Sequence, residues 1–508
     1  MCGITLLFDS DSWSGLTTRN DITQRMSNEL LHRGMDQISV MNYQTVSVGF
    51  NRMAVTEIDS QQPSDQNWIV YLNGEIYNYK ELGYNGNEVE VIAKGIEREG
   101  FKFINKLNGM FVIVAIHNED VYVIRDRYGI KPFYYWRHRN KFIGASEIKA
   151  IIQHPKYEVN ANGRAVKSWL TVCNQFDDQT LFEDIYTIPA GQIAHLNTGK
   201  MTQYHRCIFA PEPMDYQEAK REVRHLVIQA IERQRYRSDQ SAAFVSGGLD
   251  SSIIRYVLND ITTITACYNG LDDERSQAKL MTNGKHIEVA FDQPEAVSET
   301  IYHLEDLRVG ASWPNYVLYH RLAQMGKRIC YDGAGADELF GGYSWRYDLS
   351  KHYSDILNRT GTKDYQHPNL SSIVDRYQFD LDHFLPGILY VADKLSMAHT
   401  IEVRVPYLDN DLVDFCLKLP IEFKQDKKIL RDAFSDVLPA SIVSGQKRGF
   451  TSPDWLGAGG NNQADRWARF ALSEWLRIFK PENTEQICQT FTIPMTDSIR
   501  QTQYMTRP

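Results

Sequence analysis

SAAFVSGGLDSSIIRYV, residues Ser241 to Val257, runs from an apolar strand through a glycine pair into a helical pattern. A turn of this kind binds anions. Gly247 and Gly248 let successive backbone N–H groups face inward, and the helix that follows adds its orphan donors and its partial positive end. Asp250 lies inside the turn, where its charge opposes a phosphate unless Mg²⁺ stands between them. The run is neither GxxxxGK[ST] nor GxGxxG, so neither of those phosphate-loop geometries applies. A tight packing turn, with glycines only for space, is the alternative reading of the same residues.

Downstream, strand-like and helix-like segments alternate: "ITTITACYNG", "ERSQAKLMTNG", "HIEVAF", "PEAVSETIYHLEDL", "NYVLYHRLAQMG" and "KRICYDG". Alternation of this kind predicts a parallel sheet wrapped by helices, with helical patterns dominating from about Ser371 onward. Ligands of such sheets gather at the carboxyl ends of the strands. "GAGADELFGGY" (Gly333 to Tyr343) follows one of those ends and is expected to face the Ser246–Ser251 turn across a crevice. Asp337 and Glu338 would there share Mg²⁺ with Asp250, and a helix N-cap at Asp337 is compatible with that role. Upstream, to about Arg206, the rhythm differs. "VSVGFNRM", "NWIVYLNGEIYN", "GMFVIVAIHN" and "DVYVIRD" alternate with period two, with helical pieces "ITQRMSNELLHRG" and "EVEVIAKGIEREG" between them, which reads as antiparallel sheets covered by helices. "IFAPEPMDY" (Ile208 to Tyr216), with its two prolines, is the expected linker.

A chain of 508 residues exceeds what one hydrophobic core usually supports. The net charge of −9 argues against a nucleic-acid backbone as principal partner, because that affinity comes from clustered Lys and Arg. No window is long and apolar enough to suggest a membrane span. The seven cysteines lie singly, without CxxC pairs, which suits neither a disulfide framework nor a zinc site and fits a reducing cytoplasm. "MCGI" permits removal of Met1, leaving Cys2 with its own α-amine as a base; taken alone, a single cysteine is more often structural. His32, His303 and His399 lack metal-ligand spacing.

SGGxDS, met here by Ser246, Gly247, Gly248, Asp250 and Ser251, resembles the pyrophosphate loop of the N-type ATP pyrophosphatases. "HRGMD", "FNRMAVTEID", "NGEIYN" and "RDRYGIKPFYY" together resemble class II glutamine amidotransferase domains. With "DKLSMAHTIEVRVPYLD", "KKILRDAF" and "QKRGFTSP" in order behind them, nearly the whole chain is similar to the glutamine-hydrolysing asparagine synthetase family. The resemblance implies an α+β N-terminal nucleophile (αββα) domain over residues 1–206, a linker at 207–216, and an α/β parallel-sheet ATP pyrophosphatase domain with a helical C-terminal part over 217–508. It implies Cys2 as nucleophile, Asn73 and the Gly74 N–H as oxyanion hole, Arg52 on the glutamine α-carboxylate, and Glu88 where the family has Asp on the α-amine. It assigns Val245, Ser246, Gly247, Gly248, Asp250, Ser251, Asp332 and Gly333 to ATP, Asp250 and Asp337 to Mg²⁺, and Lys447 to charge stabilisation during adenylation. Glu402 and Arg404 are expected to pair and shape the floor of the site.

The chain departs from that family where the acceptor and ammonia should meet. Ala334 stands at the position of an acid thought to assist ammonia attack, leaving Asp332 or Glu305 as replacement bases, and the acid that relatives often carry near Val309 is absent. Three functions follow: asparagine formation from aspartate, glutamine and ATP; amidation of another carboxylate such as a sugar acid, a peptide or another metabolite; or a non-catalytic binding protein on the same fold. The expected partners are small molecules, with a homodimer as the assembly considered, in the cytoplasm.

Overall fold

The computed structural model describes residues 2–9, 16–56, 61–64, 66–267, 275–282, 285–290, 295–309, 313–358, 360–361, 370–445 and 462–493. Its first half holds strands β1 (Cys2–Asp9), β2 (Gln37–Asn42), β3 (Val46–Arg52), β4 (Ile69–Ile76), β5 (Gly109–His117), β6 (Asp120–Arg125), β7 (Tyr134–His138), β8 (Lys141–Ala145), β9 (Ile185–Thr187), β10 (Gln192–His195) and β11 (Lys200–Gln203). They form two antiparallel sheets, ordered β2-β3-β1-β8-β7-β9 and β11-β10-β6-β5-β4. Period-two alternation decides what lies between them: Cys2, Ile4, Leu6 and Phe8 of β1 are buried in one cluster with Val46, Val48 and Phe50 of β3 and with Val112 and Val114 of β5. The outer faces take helices. Leu7 packs with Ile22 and Met26 of the helix Leu16–Asn28, and Val70 and Leu72 pack with Val89, Ile92 and Ile96 of the helix Glu88–Glu99. The result is the layered αββα arrangement of an N-terminal nucleophile fold.

Between Gln203 and the helix Tyr216–Arg233 the chain forms neither helix nor strand, yet it is tied down. Cys207 and Phe209 are buried, and the N–H groups of Ala210 and Glu212 donate to the carbonyls of Leu417 (3.0 Å) and Lys418 (2.8 Å).

The second half is built on a parallel sheet of β12 (Ser241–Phe244), β13 (Thr262–Cys267), β14 (His286–Ala290), β15 (Ile329–Tyr331) and β16 (Glu402–Arg404). Its order is β14-β13-β12-β15-β16. The chain steps outward from β12 to β14, then returns to the other side of β12, so the strand order reverses between β12 and β15. That reversal opens the crevice expected of a doubly wound sheet, with the turn after β12 on one side and the turn after β15 on the other. Helices dominate the described residues beyond Ser371, as expected, and β16 is a strand among them that the pattern did not reveal. Three residues are too short to display a period, and the strand lies between helical segments.

Lys424 shows what burial does to an amine. It is wholly buried, its Nζ has no hydrogen-bond partner, and it lies 4.2 Å from the centre of the Phe209 ring and 6.0 Å from that of Tyr377. Burial pushes its pKa down to about 7, against a smaller opposing influence of Cys416. The unfolded chain keeps an ordinary lysine, so between pH 7 and about 10.4 the unfolded state binds more protons and stability rises with pH; below pH 7 both states are protonated and the full penalty persists. Lys424→Met is expected to raise the melting temperature by several degrees at pH 6, with the gain shrinking toward pH 10. Melting curves at the two pH values check this, and a gain independent of pH would contradict it.

Two candidate active sites

Cys2 is the first residue of β1 and pairs in register with Arg52, the last of β3. Its side chain shares the inner face with Ile4 and Leu6, which aims it at β4 of the facing sheet, and its backbone N–H donates to Asn73 Oδ1 at 2.9 Å. Cys2, Arg52, Gly74, Glu75, Glu88 and Glu402 line one small cavity. Glu88 reaches it because the helix Glu88–Glu99 starts at a fixed point: Asn87 caps the Glu90 N–H at 3.0 Å while the Glu90 carboxylate accepts the Asn87 N–H. The Glu88 carboxylate accepts from the Ile76 N–H at 2.6 Å, so the longer acid still arrives at the pocket wall. Burial pushes the Cys2 thiol pKa up, with the charges of Arg52 and Arg33 pulling the other way. Such a thiol requires a base before it can attack a carbonyl.

Gly74 admits no side chain. Its φ is +141°, and a Cβ there would lie 1.9 Å from the Met110 carbonyl oxygen. Gly74→Ala is therefore expected to displace the backbone N–H that the resemblance assigns to the oxyanion hole and, on that assignment, to lower glutamine hydrolysis by about 10²-fold or more, as loss of an oxyanion donor does elsewhere. Glutamate release checks this, and an unchanged rate would remove Gly74 from the site.

At the crevice of the second half, Gly247 has φ +73°, and its missing Cβ leaves room for Gln277 and Ala278. Ser246 and Ser251 shape the turn: the Ser251 hydroxyl donates to the Gly248 carbonyl at 3.2 Å, and the Gly248 N–H donates to Ser246 Oγ at 3.3 Å. Val245, the residue before the turn, donates its N–H to Ile264. Asp250 is the second residue of the helix Leu249–Val257, and Gly333 lies so close that a Cβ there would sit 3.0 Å from the Asp250 Cβ. The turns after β12 and β15 therefore meet.

Between them lies a residue to which the sequence reading gave no role. Lys427 Nζ is 2.5 Å from Asp250 Oδ2 and 2.6 Å from Asp337 Oδ1. Asp337 is thus at the crevice, but the N-cap of its helix, Ala336–Phe340, is Gly335, so the capping role expected of Asp337 falls to backbone geometry. Glu338 turns away and accepts from the Tyr343 hydroxyl at 2.9 Å, and burial lifts its carboxyl to about 7, with Asp337 adding to the rise. Asp332 accepts the Ala334 N–H at 2.8 Å. Glu305, offered as a replacement base, is committed elsewhere: it is wholly buried and accepts from the N–H groups of Ile148 (2.8 Å) and Lys149 (2.7 Å) and from Lys394. It joins the two halves of the molecule. Lys447 lies outside the described residues.

The donor set around Asp250 fits a hard divalent cation. Asp250 Oδ1 is buried without a hydrogen-bond partner, its other oxygen and Asp337 already surround a positive charge, and the anion-binding turn is adjacent. Among the described residues no group of three or more His, Cys, Asp or Glu could hold a metal, so an ion here would have to complete its shell with water and phosphate oxygens. His32 Nε2 donates to the Glu147 carboxylate at 3.0 Å, while His303 and His399 make ring contacts.

β16 touches both sites. Arg404 pairs with Glu402 at 2.8 Å and with Glu75, the residue after Gly74, while its backbone carbonyl accepts the Asp332 N–H at 3.0 Å. Burial pushes the Glu75 carboxyl up to about 7, Arg404 only partly offsetting it, whereas Arg404 overcomes burial at Glu402 and holds it down at about 2. The expected Glu402–Arg404 pair thus borders the thiol pocket as well as the sheet edge.

One chain thus joins a thiol pocket on an αββα sandwich to a glycine-rich strand-to-helix turn on a parallel sheet. Residues 1–206 match the model of the glutamine amidotransferase domain, and residues 222–490 match that of asparagine synthase. The chain belongs to the asparagine synthase family. Curated relatives include "Asparagine synthetase [glutamine-hydrolyzing] 1" of Bacillus subtilis, 24% identical over 93% of this chain and 90% of that one. Another is "Asparagine synthetase B [glutamine-hydrolyzing]" of Escherichia coli, 26% identical over 89% of this chain and 82% of that one. "Probable asparagine synthetase [glutamine-hydrolyzing]" of Acanthamoeba polyphaga mimivirus is 26% identical over 83% and 80% respectively.

Proposed function

We propose that this glutamine-hydrolysing ligase releases ammonia from glutamine at Cys2 and uses it to amidate a carboxylate, aspartate first among them, that ATP has activated as its acyl-adenylate. The observation that carries the reading is the presence in one chain of the Cys2–Arg52–Glu88 pocket and the Asp250–Asp337 crevice, bordered by the same strand. After Met1 removal the Cys2 α-amine would serve as base for its own thiol, Arg52 and Glu88 would hold the two charged ends of glutamine, and Asn73 and Gly74 would bind the oxyanion. Val245, Ser246, Gly247, Gly248, Ser251, Asp332 and Gly333 would cradle ATP, and Lys447 would face its phosphates. Asp250 and Asp337 would hold Mg²⁺, which supplies charge neutralisation for the departing pyrophosphate. Domain limits at 1–206 and 217–508 accompany this reading.

A second reading keeps the chemistry and changes the acceptor. It is favoured by Ala334 at the crevice, with Glu305 taken up by Lys394 and the Ile148–Lys149 backbone. Supplying glutamine and Mg-ATP with a panel of carboxylates separates the two. Pyrophosphate release that depends on aspartate supports asparagine formation, and release that depends on another carboxylate supports the second reading. Among the described residues no helix is long and apolar enough to cross a membrane. We place the protein in the cytoplasm, as a homodimer, for fractionation and sedimentation to test.

A further inference from the structure

We infer that Lys427 is a built-in counter-ion of the metal site: without nucleotide its ammonium holds the position between Asp250 and Asp337, so a divalent cation enters only by displacing it and is loaded together with the triphosphate. The inference rests on the ATP reading above and deepens it. Two carboxylates so close repel unless a positive charge stands between them, and the ammonium does so at 2.5 and 2.6 Å. Lys427 is 3% exposed. Its placement is built into the backbone: Asp426 (φ 52°) and Lys427 (φ 59°) are consecutive side-chain-bearing residues in the left-handed region, a conformation that persists only where surroundings enforce it. Gly342 is the matching concession. A Cβ there would lie 1.9 Å from Asp337 Oδ1 and 2.4 Å from Lys427 Cε, so only glycine leaves room for the lysine stem beside the carboxylate.

A metal ion arriving alone must expel the ammonium from between its two carboxylate partners. Arriving with a triphosphate, it brings anionic oxygens toward which the ammonium can turn. The bound lysine therefore reduces the apparent affinity for free metal to the intrinsic affinity multiplied by the fraction of molecules in which it is displaced.

Mn²⁺ is the probe, titrated without nucleotide and followed by the electron paramagnetic resonance of the free ion. Lys427→Met and Lys427→Gln are expected to bind Mn²⁺ about tenfold more tightly than the parent, and Lys427→Arg to keep the parent affinity. Adding Asp337→Asn to Lys427→Gln should abolish the gain. Because losing the lysine leaves like charges together, the two neutral variants should also melt lower than the parent and be restored by Mn²⁺, a rescue the parent does not show. Mn²⁺ affinity within twofold of the parent in both neutral variants, or melting not restored by Mn²⁺, overturns the inference. Titration of the parent with Mn-ATP is read separately: failure to bind it overturns the ATP reading itself.

Discussion

Cys2→Ala is expected to reduce glutamine hydrolysis to background, a fall of about 10⁶-fold if the thiol acts with its base as one unit, as nucleophile deletions in other hydrolases do. Activity with free ammonia should survive within a few-fold. The reason is spatial. Cys2 lies on the inner face of β1 against Asn73, whereas the residues assigned to ATP sit at the carboxyl ends of β12 and β15, in a different sheet. Removing one sulfur leaves the β-sandwich with a small void at a strand end and does not touch the crevice. Measuring glutamate release beside ammonia-dependent pyrophosphate release checks both halves at once. Equal loss of the two activities would mean that the thiol also supports the second site, and the two-site account would fail.

Asp250→Asn is expected to do the reverse. It removes the charge that pairs with Lys427 at 2.5 Å and an oxygen assigned to Mg²⁺, so ATP-dependent pyrophosphate release should fall by about 10²- to 10³-fold, the usual scale for a preorganised charge at a reacting centre. The substitution is nearly isosteric, and Tyr407, which donates to the Asp250 backbone carbonyl at 3.1 Å, keeps its partner, so the turn should hold its shape. Glutamate release in the absence of ATP should stay near the parent value. A variant that retains full pyrophosphate release would take Asp250 out of the nucleotide site.

Features carried by short-range pattern were legible in the sequence. Period-two alternation puts Cys2, Ile4, Leu6 and Phe8 on one face, and a glycine pair between strand and helix marks the anion turn, because each depends on residues within a few positions of one another. Features that depend on distant partners were not. Lys427 acquires its meaning from Asp250, 177 positions away, and from a left-handed backbone at residues that are not glycine. The quoted "KKILRDAF" gives no means of telling Lys427 from Lys428. Glu305 looked available as a base because its donors, the N–H groups of Ile148 and Lys149, lie more than 150 positions upstream. β16 was hidden by its length, yet its Arg404 is what joins the pocket of Cys2 to the crevice. The four glycines of "GAGADELFGGY" make separate concessions: Gly333 to Asp250, Gly335 to Leu408, Gly341 to Tyr377, and Gly342 to Asp337 and Lys427.

The central claim is that glutamine hydrolysis in one half feeds an ATP-driven amidation in the other. It is tested most directly by quenching a reaction with glutamine, Mg-ATP and aspartate, and quantifying glutamate and the nucleotide products together. The account predicts AMP and pyrophosphate, with glutamate and an amidated product formed in equal amounts. ADP and phosphate, or AMP formed with no amide product for any carboxylate supplied, would contradict it.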